Sequence, residues 1–454
     1  MHAPSPTTEN AASAAPAPAW PSPKTAWFVL TMIGIVTVFG QMDRAIIYLL
    51  VSSIKKDLAL TDTEMSLLMG LAYSAAYFLF GLPIARLTDV GKRKFILPSA
   101  LALWSLGTSC CALAGSFGQF FVARMMVGAG ESVKGPCAVS LISDLFPRQK
   151  LPRAFAAYNL SIRGGEALAL ILGGLLIGYF VKLGTVTFPV LGELKGWHMV
   201  FLLFGTPGIL FAFIFMLTVR EPVRHGRSRK GSVPLREVAH FLFKSPARSV
   251  LLPILLAAAV NNIEMVGVGS WRPTFYERTY GWGPADFGPI LGVTSLIITP
   301  VALALGAFLS EYLAKRGYAD ANIRIVLCAN IISLPLGIIS PLMPTFYLAL
   351  ACSLGTLFLA TMSAPSLLAA MQIVTPNELR GQVNALYMFT LSVIGSGLGP
   401  IVIALMTDHL FQAEADLRYA MVTAVAVAGP IALGLIWMAL KPYGEAYRRA
   451  TAST

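Results

Sequence analysis

The sequence predicts an all-α membrane protein with twelve transmembrane helices arranged as two six-helix bundles. Three observations lead there. Of 454 residues, 56% are hydrophobic and only 12% charged, with a mean hydropathy of +0.70, a composition unsuited to a surface facing water. Apolar runs of roughly 20 residues, the length that crosses a bilayer, recur twelve times along the chain. One long basic stretch divides them six and six. The composition excludes soluble enzymes and nucleic-acid binders. The net charge of +12 informs topology rather than ligand, because cations of membrane chains gather in cytoplasmic loops.

Residues 1–24 are rich in Ala, Pro, Ser and Thr and read as a disordered cytoplasmic tail without a cleavable signal peptide. The first bundle occupies 25–219, with spans near 25–50, 65–88, 95–115, 119–146, 154–181 and 197–219. Residues 220–249 are polar, basic and Pro-containing, hence a cytoplasmic linker rather than a span. The second bundle occupies 250–441, with spans near 250–276, 286–314, 323–342, 345–374, 382–407 and 419–441. A basic tail, 442–454, closes the chain. The cysteines, Cys110, Cys111, Cys137, Cys328 and Cys352, lie in apolar runs without ligand spacing and are expected to be buried packing residues.

Counting cations sets the orientation. Twenty-three Lys and Arg fall on the side of the termini and linker, six on the other side and five inside spans. Both termini are therefore expected in the cytoplasm, with the chain in the cell membrane, the inner one in a bacterium. A trace of duplication pairs the bundles: Pro147 to Tyr158 (PRQKLPRAFAAY) is similar to Pro376 to Tyr387 (PNELRGQVNALY), 229 residues later, and each joins the fourth and fifth spans of its half. Parallel repeats of this kind build transporters whose halves rock about a site near the bilayer midplane.

Four stretches carry a family likeness: Met42-Asp43-Arg44, Asp89-Val90-Gly91-Lys92-Arg93-Lys94, Arg124 to Glu131 (RMMVGAGE), and Ser143-Asp144-Leu145-Phe146-Pro147. With them the chain resembles the Major Facilitator Superfamily and, within it, the spinster-like transporters. The resemblance implies the major facilitator fold and alternating-access transport, eukaryotic relatives moving sphingolipids or lysophospholipids. The superfamily loop usually runs Gly-x-x-x-Asp-Arg-x-Gly-Arg-Lys. Here Ala85, Val90 and Lys92 replace the first glycine, the first arginine and the second glycine, while Asp89, Arg93 and Lys94 remain. Those three are expected to form a conformational latch, the aspartate accepting from helix N-termini or an arginine and the cations holding the loop at the anionic leaflet.

A charge at the centre of a span costs ~2.5 to 3.5 kcal/mol, so each one marks a candidate site. Arg124 and Glu131 fall two turns apart on one face of the fourth span, with Gly128 and Gly130 between them permitting close helix approach. Glu131 is the expected proton-coupling residue, and Lys134 and Arg44 compete to neutralise it. Its distances to these cations are expected to change as the halves rock. Asp43, about 100° from Arg44 around the first span, is expected to carry a proton or to partner Arg124. Arg44 suits a carboxylate or phosphate, since a guanidinium binds both in bidentate fashion. Tyr48 follows on the same face. Arg163 and Glu166 are spaced to pair with each other, and Asp144 reads as a loop anchor. In the seventh span Asn261, Asn262 and Glu264 suit ligand hydroxyls or amides, ahead of Trp271, Arg272 and Pro273, where a break of the helix is expected. Tyr387, Met388 and Phe389 are candidates to line an amphiphile cavity.

No glycine loop follows a strand and no metal constellation is present in the sequence, so neither an enzymatic centre nor a cofactor is expected. The expected function is secondary active transport, proton-coupled through Glu131 or Asp43, of an amphipathic anionic lipid such as a sphingolipid or lysophospholipid. The expected partners are that substrate, protons and membrane lipids, with no nucleic acid, and the protein is expected to be a monomer. The rival within the class is a proton-coupled carrier of a small organic anion or drug. The rival outside it is a receptor or sensor on a transporter fold that no longer translocates.

Overall fold

The computed structural model describes residues 20–147, 149–189, 192–224, 235–376 and 379–452. Nine of its helices are long and apolar enough to cross a membrane. The other three spans are shorter or interrupted. The second is a short helix Asp62–Ser66 and a π-helical turn Leu67–Leu71 leading into Ala72–Val90; the third is Arg93–Cys111; the fourth is broken into Phe117–Glu131 and Lys134–Leu145. The eleventh, Arg380–Phe411, carries a π-helical turn at Thr390–Gly395. The chain is an integral, multi-pass membrane protein.

Local chemistry sets the helix ends. Ser22 accepts from the Thr25 amide at 3.3 Å ahead of Pro23, and Thr61 and Glu64 form a reciprocal capping box at 3.1 and 2.9 Å. The fourth span breaks between Glu131 and Lys134 because Gly135-Pro136 follows at once. Pro136 has no N–H to offer Ser132, and its ring crowds that carbonyl. Large apolar side chains such as Leu217 and Val181 stand 86% and 67% exposed, which lipid tails solvate.

The apolar packing defines two unlike ends. At the end away from the linker, here called distal, one core joins both bundles: Ile46, Phe120 and Trp197 of the first pack in the same cluster as Trp271, Phe287 and Phe346 of the second. At the linker end each bundle keeps its own core, around Trp104 and Leu141 in one and around Ile254 and Met371 in the other. Glycines permit the close crossings of the seam. A Cβ on Gly288 of the eighth span would lie 2.5 Å from the Leu170 carbonyl oxygen of the fifth, and one on Gly70 would lie 2.8 Å from the Gly397 oxygen of the eleventh.

The duplicated segments occupy matching places. The fifth span starts at Leu151 and the eleventh at Arg380, and Tyr158 and Tyr387 are both buried. Other expectations need correction. The linker contains a helix, Leu235–Lys244, with Leu242 packed into the core of the second bundle. The last helix continues through the expected tail to Ala452, anchored by the buried Tyr443. Cys328 is exposed rather than buried, while Cys111 and Cys137 are buried. A two-stranded hairpin, Val186–Phe188 with Gly192–Leu194, lies between the fifth and sixth spans. The expected N-terminal tail falls mostly outside the described residues.

Candidate functional site

The break in the fourth span ends a helix at Glu131 in the middle of the first bundle. Its side chain is fully buried, and all its donors converge on one oxygen. Lys134 Nζ donates to Oε2 at 2.9 Å, Tyr73 OH at 3.0 Å and Arg44 Nη2 at 3.4 Å, while Oε1 has no hydrogen-bond partner among the described residues. The break itself brings Lys134 round to the carboxylate, and Gly40 of the first span leaves room for its ammonium group. Tyr73 reaches Glu131 because Gly128 has no side chain. A Cβ there would overlap the Tyr73 carbonyl, so the second and fourth spans touch backbone to backbone.

Arg44 covers this carboxylate. It donates to the Tyr73 hydroxyl, and its guanidinium lies 4.7 Å from the centre of the Tyr73 ring. Its side chain is 34% exposed while Glu131 is at 0%, so Arg44 is the most exposed member of the cluster. The Arg124 guanidinium lies 5.8 Å from the same ring. It is sealed, 1% exposed, and donates to main-chain oxygens, to Leu68 from Nε at 3.3 Å and to Asp43 from Nη1 at 3.4 Å. Among the described residues the Asp43 carboxylate makes no close ion pair with Arg124; it is buried, with the Thr108 side chain beside it, and neither oxygen has a hydrogen bond of good geometry. Asp43 and Arg44 thus point to different neighbours, as their angular offset requires.

One mechanical expectation is overturned. Arg44, Tyr73, Glu131 and Lys134 all belong to the first bundle, so rigid rocking of the halves leaves their separations unchanged.

Tyr48 is half-buried against the shared distal core. In the seventh span, Asn262 Nδ2 donates to the Leu391 carbonyl in the π-helical turn of the eleventh at 3.2 Å, which makes it a tie between helices. Asn261 and Glu264 are half-buried and carry no side-chain hydrogen bond among the described residues. Arg163 pairs with Glu166 at 3.0 Å, and Gln41 also donates to that carboxylate. Tyr387 is buried and packs in the core, whereas Met388 and Phe389 are 45% and 38% exposed.

Of the latch residues, the Asp89 side chain lies outside the described ones. Arg93 is fully buried, with Nη1 donating to Asp144 at 2.5 Å and to Ser140 at 2.7 Å, and Nε to Glu221 at 2.8 Å. Lys94 contributes its main-chain N–H, to Glu221 at 2.8 Å, and its ammonium stands 4.6 Å from the Phe95 ring centre. The contacts of Arg93 and Lys94 join the third span, the fourth span and the start of the linker.

Sequence reasoning missed a group of polar ties that cross the seam at the distal end. Arg278 of the seventh span makes a bidentate bond to Asp62 at 2.7 and 2.8 Å. Lys55 bridges Asp62 at 2.5 Å and Glu414 at 2.6 Å. Thr63 donates to Asp408 from its amide and its hydroxyl, and Ser52 to Glu277. Every ion pair between the bundles among the described residues lies in this group.

The family model described as the Major Facilitator Superfamily matches residues 33–400. The chain belongs to the Major Facilitator Superfamily. It is 24% identical over 397 residues to an MFS-type efflux pump of Mycolicibacterium smegmatis, covering 86% of each chain. It is 25% identical over 325 residues to Protein spinster of Drosophila melanogaster, covering 69% of this chain and 50% of that one. Its fold is similar to that of a bacterial homolog of the human lysosomal transporter Spinster in an inward-facing, unoccupied conformation, with a TM-score of 0.75 and 22% identity over 95% of this chain and 99% of the other. The likeness to the spinster-like branch read from the motifs is supported by these matches.

Proposed function

We propose that the protein is a secondary active transporter working by alternating access, that its substrate is an amphipathic anionic lipid such as a sphingolipid or lysophospholipid, and that Glu131 couples transport to protons. One observation carries the reading: a fully buried carboxylate has one oxygen crowded by three donors and the other left without a partner, and only Arg44 of those donors is open to a ligand. An anionic headgroup that takes Arg44 relieves Glu131 of a cation and leaves it free to take a proton. Anion and proton then bind together, which makes the coupling symport. For the lipid tail, support comes from an apolar groove of about 670 Å³ between the second, third and fourth spans, bordered by Phe80, Leu103, Met125 and Gly130. It adjoins the helix that carries Glu131.

The test is uptake into proteoliposomes with and without an imposed pH gradient, for the wild type and Glu131→Gln. The variant is expected to lose gradient-driven accumulation and to keep substrate exchange, because glutamine cannot titrate. Undiminished gradient-driven accumulation by Glu131→Gln removes it from the coupling role and passes that role to Asp43. Flux of small organic anions without lipid flux replaces the substrate assignment, and no flux of either kind favours a receptor.

A further inference from the structure

On the linker face of the second bundle, the turn between the eighth and ninth spans lies against the end of the twelfth. Gly317 makes that turn at a φ of +86°, a conformation that a side chain would strain. Gly444 faces the turn from the last helix, where a Cβ would already meet that of Asp320 at 3.6 Å. The two glycines leave a crevice of about 500 Å³ whose charged lining is Arg324, Lys441 and Arg448 against a single acid, Asp320.

That acid is already engaged. Asp320 Oδ1 accepts from Arg324 Nε at 2.6 Å, and the Tyr318 ring stands 4.8 Å from the Arg324 guanidinium. Arg324 is thereby held in place while its two terminal nitrogens make no hydrogen bond among the described residues. Lys441 is exposed and has no carboxylate partner among them. The neighbouring Asn322, in the ninth span, is fixed, accepting from the Ser310 hydroxyl at 2.7 Å and donating to the buried Tyr443 hydroxyl at 3.1 Å. Trp437, one turn before Lys441, is 66% exposed, and Tyr312 and Tyr318 are 40% and 43% exposed. Aromatic rings with a polar edge gather at the membrane–water interface, which sets the crevice at headgroup level.

We propose that this crevice is a phosphate-group site, filled by the headgroup of an acidic phospholipid in the adjoining leaflet or by free phosphate. The guanidinium of Arg324 offers a planar fork to phosphate oxygens, and Lys441 and Arg448 add point charges around it. A phosphate seated there ties the turn between the eighth and ninth spans to the end of the last helix.

The full-length protein in phosphatidylcholine nanodiscs tests the proposal. Phosphatidylglycerol retention is read by native mass spectrometry, and inorganic phosphate binding by phosphorus NMR. Lys441→Gln/Arg448→Gln is expected to weaken the binding by roughly tenfold or more, as the loss of two cations at an anionic surface implies. Lys441→Arg/Arg448→Lys is expected to keep it. Loss confined to phosphatidylglycerol identifies a lipid headgroup, and loss confined to inorganic phosphate identifies the free ion. Equal retention of both ligands by the wild type and the Gln double variant overturns the site. Should that variant melt early in phosphatidylcholine alone, Lys441→Gln, at an exposed and unpaired position, carries the same comparison with a smaller loss.

Discussion

Among the described residues Arg44 donates to Glu131 and to the Tyr73 hydroxyl, and its side chain is 34% exposed. On the proposed reading a substrate anion competes with partners already in place, and planar geometry decides how well it competes. Arg44→Lys keeps the charge but gives up the fork, so transport in reconstituted vesicles is expected to fall, and to fall further in Arg44→Ala. Equal flux in all three proteins at matched amounts would remove Arg44 from the site. Tyr73→Phe isolates the hydroxyl, because the ring stays beside both guanidiniums. Losing one hydrogen bond to a buried carboxylate costs about 1 to 3 kcal/mol, enough to slow transport by tenfold or so. Unchanged flux would assign Tyr73 to packing alone. Charged members of the cluster were legible in the sequence because a charge inside an apolar run is costly and so stands out. Tyr73 was not, because a tyrosine in a span costs little and only the contact at Gly128 shows what its hydroxyl meets.

That contact is a property of helices rather than side chains. At Gly128 an added Cβ meets backbone, which cannot swing aside as a side chain can, so Gly128→Ala is expected to destabilise by about 1 to 3 kcal/mol and to push Tyr73 off Glu131. Gly118 in the same helix has nothing within 4 Å of its would-be Cβ, and Gly118→Ala is expected to be neutral or mildly stabilising. Thermal melts of the two variants side by side check this, and equal melting would show that the two spans can part at no cost. On the distal surface Asp57 accepts from Lys195 and from Trp197 Nε1. Burial alone would raise its carboxyl, yet these hydrogen bonds outweigh burial and hold it below the ordinary aspartate value. Its contribution to stability is then complete above the ordinary value, ~3.9, and is lost as pH falls through the lowered one. Asp57→Asn is expected to flatten the acid limb of a plot of melting temperature against pH; an unaltered limb would exclude Asp57. Most span positions followed from run length, and small residues in the fourth span marked close approach. The hairpin and the linker helix did not follow, since neither is long or apolar enough to register against the spans. Pro136 stands in the sequence, but the apolar run around it has the length of one continuous span, which hides the break.

Across the whole molecule, one core shared at the distal end and two separate cores at the linker end describe a transporter closed on one side, and the polar ties of the seam belong to the closure. Their weights differ. Asp62 is fully buried and holds both Arg278 and Lys55, whose side chains are 13% and 12% exposed, whereas Glu414 is 62% exposed. An exposed pair is screened by salt and contributes about 0 to 1 kcal/mol. Removing one partner of a buried pair costs about 3 to 5 kcal/mol, because the remaining charges lose their compensation without regaining water. Moving an equilibrium from 1:99 to 99:1 takes about 5.5 kcal/mol, so Asp62→Asn is expected to open the distal side in a large part of the population and Glu414→Gln in little of it. Spin labels on Ser53→Cys and Gln412→Cys, both exposed and on opposite bundles, report the opening as a longer distance when the native cysteines are replaced. Arg278→Gln added to Asp62→Asn is expected to open the gate no further, since the two residues share one interaction. A distance distribution for Asp62→Asn that matches the wild type, or a larger shift in Glu414→Gln, would place the closing energy in the apolar core instead.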